Sequence, residues 1–143
     1  MTSYAAFGTL IKIGDGGSPT ETFTTIAQIN AISGLGVSLD TEEVTHHSST
    51  GRYKEFVGTL LEMKEITLEL NFDPAHATHS YTAGLINDLV DRTLRNFQLV
   101  FPDSGNTTWA FAAFVTDVDI GAPHEGKLAG SITLRPSGQP TLA

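Results

Sequence analysis

The sequence lacks cysteine altogether and has half as many basic residues as acidic ones. Without cysteine there is no disulfide and no thiolate metal site. The 8 basic and 16 acidic residues give a net charge of −8, which disfavours a protein that coats nucleic acid, because such binding depends on neutralising phosphates. No apolar run approaches the roughly 20 residues that cross a bilayer, and Met1–Tyr4 lacks the basic segment of a signal peptide. We therefore expect a protein of a soluble compartment with no membrane insertion.

Motifs for catalysis and cofactor binding are also missing. No Gly-x-Ser-x-Gly nucleophile elbow occurs, and the glycine-rich run 14–19 leads into no helix or lysine, so it predicts a hairpin turn and not a phosphate loop. His76 and His79, with Asp73 upstream, could hold a metal. Asp73 suits the start of a helix better, because its carboxylate can cap the free amides there. We predict no enzyme activity, no cofactor and no metal site.

Three carboxylate pairs remain as candidates for acid–base chemistry: Glu42/Glu43, Glu65/Glu69 and Asp117/Asp119. The last two pairs have spacings that place both members on one face of a strand. General acid–base catalysis needs one carboxyl in an apolar pocket. These residues alternate with apolar ones on faces that look solvated, so we interpret them as surface charge.

One stretch organises the rest of the chain. From Glu65 to Phe72 apolar residues fall at every second position, which predicts a half-buried strand over 62–72 that ends at Asp73–Pro74. The period then changes, since Leu85, Ile86, Leu89 and Val90 form a single apolar stripe of period 3.6. This predicts one amphipathic helix over 75–92, flanking a sheet.

The remaining segments alternate mostly with period two. A chain of 143 residues fits one domain, and the expected fold is mainly β, an antiparallel sandwich or barrel. The parity of the aromatic residues slips between Phe111 and Phe114, which suggests a bulge or a switch of sheet. Predicted strands cover residues 9–13, 23–29, 37–46, 97–101, 107–120 and 127–135, with a short polar tail over 137–140.

The segment 47–60 follows neither period. Long structureless loops are unusual in compact domains and are often functional. It either folds back on its own domain or docks onto another subunit, and its apolar residues with an interface-type arginine favour docking. The candidate interface residues are Arg52, Tyr53, Lys54, Glu55, Phe56 and Val57.

The order of segments from Phe7 to about Leu142 resembles the major tail tube proteins of long-tailed, siphovirus-like bacteriophages. The segments that carry the resemblance are GTLIKIGDGGSPTETFTTIAQI (8–29), GLGVSLDTEEVTHHSS (34–49), EFVGTLLEMKEITLELNFDPAHATH (55–79), LRNFQLVFPDSGNTTWAFAAFVTDV (94–118) and GKLAGSITLRPSGQPTL (126–142).

That resemblance implies a structural subunit whose hexameric rings stack into a hollow tube through which DNA passes. It also implies that the loop 47–60 and the N- and C-terminal arms make subunit and ring contacts. The implied partners are further copies of the chain, a tape-measure protein, tail tip or baseplate proteins and a tail terminator. The implied location is the virion tail, assembled in the host cytoplasm.

A lumen that passes DNA should repel phosphate. Either Glu65 and Glu69 or Asp117 and Asp119 would line it. Three other functions stay open: a tube protein of a contractile secretion apparatus, a metal hydrolase that uses His76, His79 and Asp73, and a carbohydrate- or ligand-binding sandwich on a virion or cell surface. The last of these needs exposed aromatic residues, and the strand with Trp109, Phe111 and Phe114 could supply them, although burial of those rings is the better prediction.

Overall fold

A computed structural model describes residues 3–17 and 20–142. The sequence predictions for Met1, Thr2, Ser18 and Pro19 lie outside the described residues. The elements are β1 (Leu10–Gly14), β2 (Phe23–Thr25), β3 (Ile29–Ser33), β4 (Val37–Glu43), a 3₁₀ turn (Thr50–Arg52), β5 (Phe56–Met63), β6 (Ile66–Asn71), α1 (Leu85–Asp91), β7 (Arg95–Val100), β8 (Thr108–Gly121) and β9 (Ala129–Leu142). The mainly β, antiparallel fold class is as predicted.

Two long strands, β8 and β9, join two layers of one seven-stranded antiparallel sheet of order β2-β1-β7-β8-β9-β6-β3. In layer 1, the first half of β8 pairs with β7, which pairs with β1 and β2. In layer 2, the second half of β8 pairs with the first half of β9, which pairs with β6 and then β3. The core therefore receives side chains from both layers.

Alternation along each strand places one face of each layer in that core. On β6, Ile66, Leu68 and Leu70 are at most 1% exposed, whereas Glu69 between them faces out. The alternation predicted here is confirmed. Each such side chain contributes about 1.5–3 kcal/mol through burial. The others in the core are Ile11, Ile26, Met63, Leu85, Phe97, Leu99, Phe111, Ala113, Val115, Ile132 and Leu134.

The single strand predicted over 23–29 is wrong, because the chain crosses between the layers there. The amide of Ile26 donates to the Ile11 carbonyl at 2.9 Å, and the amide of Asn71 donates to the Gln28 carbonyl at 3.0 Å. Gln28 has a φ of 58°, which breaks the extended path. β2 and β3 thus lie at opposite ends of the sheet, and the crossing segment links those ends.

The helix predicted over 75–92 is too long. It begins at Leu85, with Gly84 as its N-cap, and ends at Asp91. A Cβ at Gly84 would lie 2.5–2.6 Å from the backbone of Ser80 and His79, so only glycine allows the preceding turns to pack this closely. The apolar stripe is partly as expected: Leu85 is buried but Val90 is 52% exposed.

A buried histidine explains why residues 75–84 form turns instead of a helix. The His79 ring is 0% exposed. Its Nδ1 accepts from the Asp73 amide at 3.1 Å, and its Nε2 lies 2.7 Å from the Ala27 carbonyl oxygen. It also stacks on Phe72 with ring centroids 5.9 Å apart. These bonds connect the end of β6 to the crossing segment, so the local turns are fixed by tertiary contacts.

The strand predicted over 62–72 is two strands in different sheets. β5 ends at Met63 and pairs with β4 in a separate two-stranded sheet, which we call the ribbon (residues 37–63). Gly34, with φ of 83°, lies against the Glu65 carbonyl oxygen, where a Cβ could not fit. The chain changes direction at this point, and β6 starts at Ile66.

The polar tail predicted over 137–140 is wrong, since β9 continues to Leu142. Ser137 pairs with Ala112 and Leu142 with Trp109. The register between β8 and β9 shifts twice: residues 138–140 of β9 lie opposite Phe111 alone, and Thr116 is an extra residue of β8 between Val115 and Asp117. The parity slip has a different cause: Phe111 faces the core at 5% exposure and Phe114 the other face at 37%.

Candidate assembly surfaces

The outer face of layer 2 carries three exposed carboxylates. Strand register places Glu69 on β6 opposite Ser131 on β9, and Ser131 opposite Asp119 on β8. Neighbouring strands lie 4.7–4.9 Å apart, so Glu69 and Asp119 lie about 10 Å apart along one row. Asp117 occupies the next row, opposite Thr133. The two alternative acidic pairs of the sequence analysis thus contribute to one surface, which we call the acidic face (Glu69, Asp117 and Asp119).

Glu65 does not belong to the acidic face. It lies between β5 and β6, where its Oε1 accepts from Arg135 Nη1 at 2.8 Å. Arg135 Nη2 donates to Glu62 Oε1 at 2.8 Å. The hydrogen bond with Glu65, and then the charge of Glu62, raise the pKa of the Arg135 guanidinium. The cation is therefore shared by two carboxylates, one on each side of the junction between ribbon and sheet.

The six candidate interface residues all lie at the far end of the ribbon and are exposed. Arg52 ends the 3₁₀ turn, and Phe56 and Val57 begin β5, opposite Glu43 and Glu42. Tyr53 is 77% exposed and Phe56 57% exposed. The segment does not fold back on its own domain, and the structureless loop expected over 47–60 is the turn of a hairpin plus the start of a strand.

More apolar surface lies along the same ribbon, beyond the residues that the sequence analysis singled out. Leu60 and Leu61 are each 72% exposed, and only Met63 of β5 is buried. A signal was present, because Phe56-Val57 and Leu60-Leu61 put apolar side chains on both faces of a strand that has no second sheet to cover it. The remaining exposed apolar residues of the ribbon are Val37, Leu39 and Val44.

The chain ends differ from each other. Residues 3–9 form no strand, and Phe7 is 96% exposed. The C-terminal segment belongs to β9. A groove of about 580 Å³ separates it from the base of the ribbon, lined among others by Val37, Leu61, Pro136 and Leu142.

The histidines do not converge on a metal site. Both ring nitrogens of His79 are engaged by the backbone, and His76 Nδ1 lies 2.9 Å from the Thr78 hydroxyl. Asp73 accepts from the Ala75 amide at 3.0 Å, an Asx turn and not a helix cap. Within residues 3–17 and 20–142, no group of three or more metal-binding side chains comes together.

The aromatic residues needed by a carbohydrate-binding sandwich do not form an exposed cluster. Phe111 is buried and stacks on Phe97 with centroids 5.8 Å apart, while Trp109 packs edge-on against Phe101. Phe114 lies on the opposite face. In the part of the chain that the structure describes, no helix has the length and apolar character to span a bilayer.

A buried ion pair connects the helix α1 to the sheet. Asp88 is 1% exposed, and its Oδ1 accepts from Arg95 Nε at 2.9 Å, while Oδ2 has no partner among the described residues. Burial raises the pKa of the Asp88 carboxyl, and the charge of Arg95 opposes this. Arg95 also donates to the Gly14 carbonyl at 3.2 Å. This pair joins α1 to β1 and β7 and has no contact with the acidic face.

Comparison with known proteins gives a consistent result. A family described as phage tail tube protein matches residues 7–142. The fold is that of a solved tail of an empty gene transfer agent particle with C6 symmetry, at 22% identity and TM-score 0.79, covering 99% of both chains. It is also similar to a chain of an anti-feeding prophage baseplate, at 14% sequence identity and TM-score 0.70, with 100% of this chain and 97% of that chain covered. A third similar structure is the SPP1 tail tube, at 11% sequence identity and TM-score 0.65, with 94% of this chain and 77% of that chain covered. No curated protein matches the sequence.

Proposed function

Since this chain belongs to the phage tail tube protein family, we propose that six copies form a ring and that rings stack into a hollow conduit for DNA. The chain acts as one tube domain and a structural component, and carries out no reaction. The observation that carries the proposal is layer 2, whose two edges are open and whose outer face is acidic.

The open edges are β3 and the second half of β8. Among residues 3–17 and 20–142, β3 pairs with β6 alone. On β8, pairing with β7 stops at Ala113, and within the described residues no strand borders residues 116–121 on the side away from β9. Open edges present unpaired amides and carbonyls, and a closed ring of copies satisfies them. Pairing β8 of one copy with β3 of the next would extend layer 2 into a barrel around a lumen.

Such a barrel turns the acidic face towards the lumen, because the opposite face of layer 2 is the protein core. Glu69, Asp117 and Asp119 would then repeat around each ring. Carboxylates about 10 Å apart are separated by no more than one Debye length at moderate salt, so their electrostatic fields overlap. The lumen surface would then repel DNA phosphates and DNA would not adhere to it. Glu65, held by Arg135, contributes less to this repulsion.

The ribbon and the N-terminal arm supply contacts between subunits and rings. Their exposed apolar residues include Tyr53, Phe56 and Phe7. Burial of such side chains against another subunit is favourable, and residues of this kind are common at protein interfaces. The lumen would hold a tape-measure protein before DNA passes. Tip or baseplate proteins and a terminator would close the two ends, with assembly in the host cytoplasm.

Electron microscopy of the purified protein tests the proposal, with and without a tail-tip template. Hollow tubes are expected. In Ile120→Lys, a charge is added beside the open edge of β8 at a side chain that is already 41% exposed, so the subunit should fold but form neither rings nor tubes. Ala75→Lys adds the same charge at an exposed turn and should assemble normally. Tubes formed equally well by Ile120→Lys would contradict the edge pairing.

A further inference from the structure

The junction between the ribbon and the sheet is built from few contacts. In the described part of the chain, the ribbon shares no strand pairing with the seven-stranded sheet. One leg of the junction contains Gly34 and Gly36, and the Lys64 amide on the other leg donates to the Gly36 carbonyl at 2.9 Å. Beside the junction, the groove of about 580 Å³ leaves room between the ribbon base and the end of β9. Met63 is buried in the core at the base of the ribbon, but no other residue of β5 is buried, so few side chains fix the angle of the ribbon at this point.

Arg135 is a charged side chain whose hydrogen bonds span the junction. It projects from β9, beside Leu134 of the core, on the outer face of the sheet. One guanidinium nitrogen bonds Glu62, which belongs to the ribbon strand β5, and the other bonds Glu65, which leads into β6, both at 2.8 Å. A planar guanidinium fixes direction as well as distance, since its donors form a rigid fork.

We propose that Arg135 is a positioning residue, which sets the angle of the ribbon to the sheet and so presents the ribbon to a neighbouring copy. The inference rests on the proposed role of the ribbon in assembly. An isolated exposed ion pair is weak, but three charges with two short, well-directed bonds form a network, the case in which surface ion pairs matter. Pre-setting the angle lowers the cost of ordering the ribbon when the next subunit binds.

A distance measurement tests the inference directly. Because the chain has no cysteine, spin labels can be attached at Ser48→Cys at the ribbon end and Glu125→Cys in the turn between β8 and β9. The labelled protein should give a narrow distance distribution by double electron–electron resonance. Adding Arg135→Gln should broaden it about twofold as the ribbon samples more orientations, whereas Lys127→Gln, which removes the same charge from an exposed turn, should leave it unchanged.

A charge-inverted variant shows whether the effect of Arg135→Gln comes from loss of the ion-pair network or from loss of the arginine side chain itself. Arg135→Glu combined with Glu62→Arg and Glu65→Arg restores opposite charges across the junction and should narrow the distribution again. The same variants should follow this order in tube formation: impaired in Arg135→Gln, partly restored in the inverted protein. The melting temperature of the subunit should stay constant throughout, because none of these side chains is in the core.

An unchanged distance distribution in Arg135→Gln would overturn the inference, even if the parent protein forms tubes. Broadening without rescue by the inverted variant would also overturn it, since the effect would then not come from the charges. If the parent forms no tubes under any condition, the proposed function fails, and the distances still report separately on whether Arg135 sets the ribbon angle.

Discussion

The seven-stranded sheet and the ribbon use the same secondary structure in opposite environments. Along β6 the exposure alternates, with every second residue buried, whereas along β5 seven of the eight residues are exposed. Both strands have regular antiparallel partners. Backbone pairing alone therefore does not indicate what holds a strand in place: β6 is fixed by the core of its own subunit, and the ribbon has apolar side chains without a core.

The comparison is tested most strongly by the same substitution in both regions. Phe97→Ala removes a fully buried ring that stacks on Phe111 and should lower the free energy of unfolding by about 3–5 kcal/mol. Phe56→Ala removes a ring of the ribbon that is 57% exposed and should change it by less than about 0.5 kcal/mol. Urea unfolding of the two variants gives both values. Similar losses in both would mean that the ribbon packs on the subunit in solution.

A second pair of variants uses histidine. His79→Ala leaves the Asp73 amide and the Ala27 carbonyl without partners in a buried site, and it should cost about 2–3 kcal/mol. His47→Ala, in the exposed loop of the ribbon, is the matched control and should be neutral. Thermal unfolding, followed by circular dichroism, measures the difference. A neutral His79→Ala would show that the turns over 75–84 do not depend on that ring.

A third pair of variants tests the pH dependence of stability. Burial raises the pKa of the Asp88 carboxyl in the folded state above its ordinary 3.8, so protonation favours the folded state. The contribution of Asp88 to the free energy of unfolding is therefore fully present at pH values below the ordinary carboxyl pKa. It is lost as the pH rises through the pKa of the folded state. Relative to Asp88→Asn, the parent should therefore lose stability as pH rises from the ordinary carboxyl range to neutrality.

The control for that titration is Asp40→Asn, which removes an exposed carboxylate of the ribbon. Thr107 donates to Asp103 and lowers its pKa, which has the opposite effect on stability, but this contribution is present in every variant and cancels in the comparison. A stability difference between the parent and Asp88→Asn that does not vary with pH would show that the Asp88 carboxyl has an ordinary pKa in the folded state.

The smallest effect on the subunit is expected for the most exposed leucines. Leu60→Ser with Leu61→Ser, both 72% exposed, should leave the free energy of unfolding within about 0.5 kcal/mol of the parent. Tube formation, scored by electron microscopy, should be lost. Normal tubes would mean that this part of the ribbon remains solvated in the assembly, and that its apolar residues need another explanation.

The sequence predicts burial best where the alternation of apolar and polar residues within one strand determines which side chains face the core. Glu65 to Phe72 alternates, and Ile66, Leu68 and Leu70 are buried as that pattern requires. Met63 is buried as well, but it lies three residues before Ile66 and so breaks the alternation at Lys64 and Glu65, where the chain leaves one sheet and enters another. That break depends on Gly34, which is distant in sequence.

The errors share a physical cause, which is contact between distant segments. The helix start depends on His79 bonding to Ala27, and the division of 23–29 depends on bonds from Ile26 and Gln28 to two different strands. The acidic face illustrates the same limit. Both acidic pairs are visible in the sequence, but only the register of β6, β9 and β8 shows that Glu69 and Asp119 share a row.

Layer 2 has four strands, and this even number has a consequence for growth. Each strand runs opposite to its neighbour from β3 through β6 and β9 to β8, so the first and last strands point in opposite directions. When β8 of one copy meets β3 of another copy in the same orientation, the seam is antiparallel, like every ladder inside the subunit. A layer of three or five strands would create a parallel seam with slanted bonds at each junction. Here the seam between copies repeats the bonding pattern found within each one.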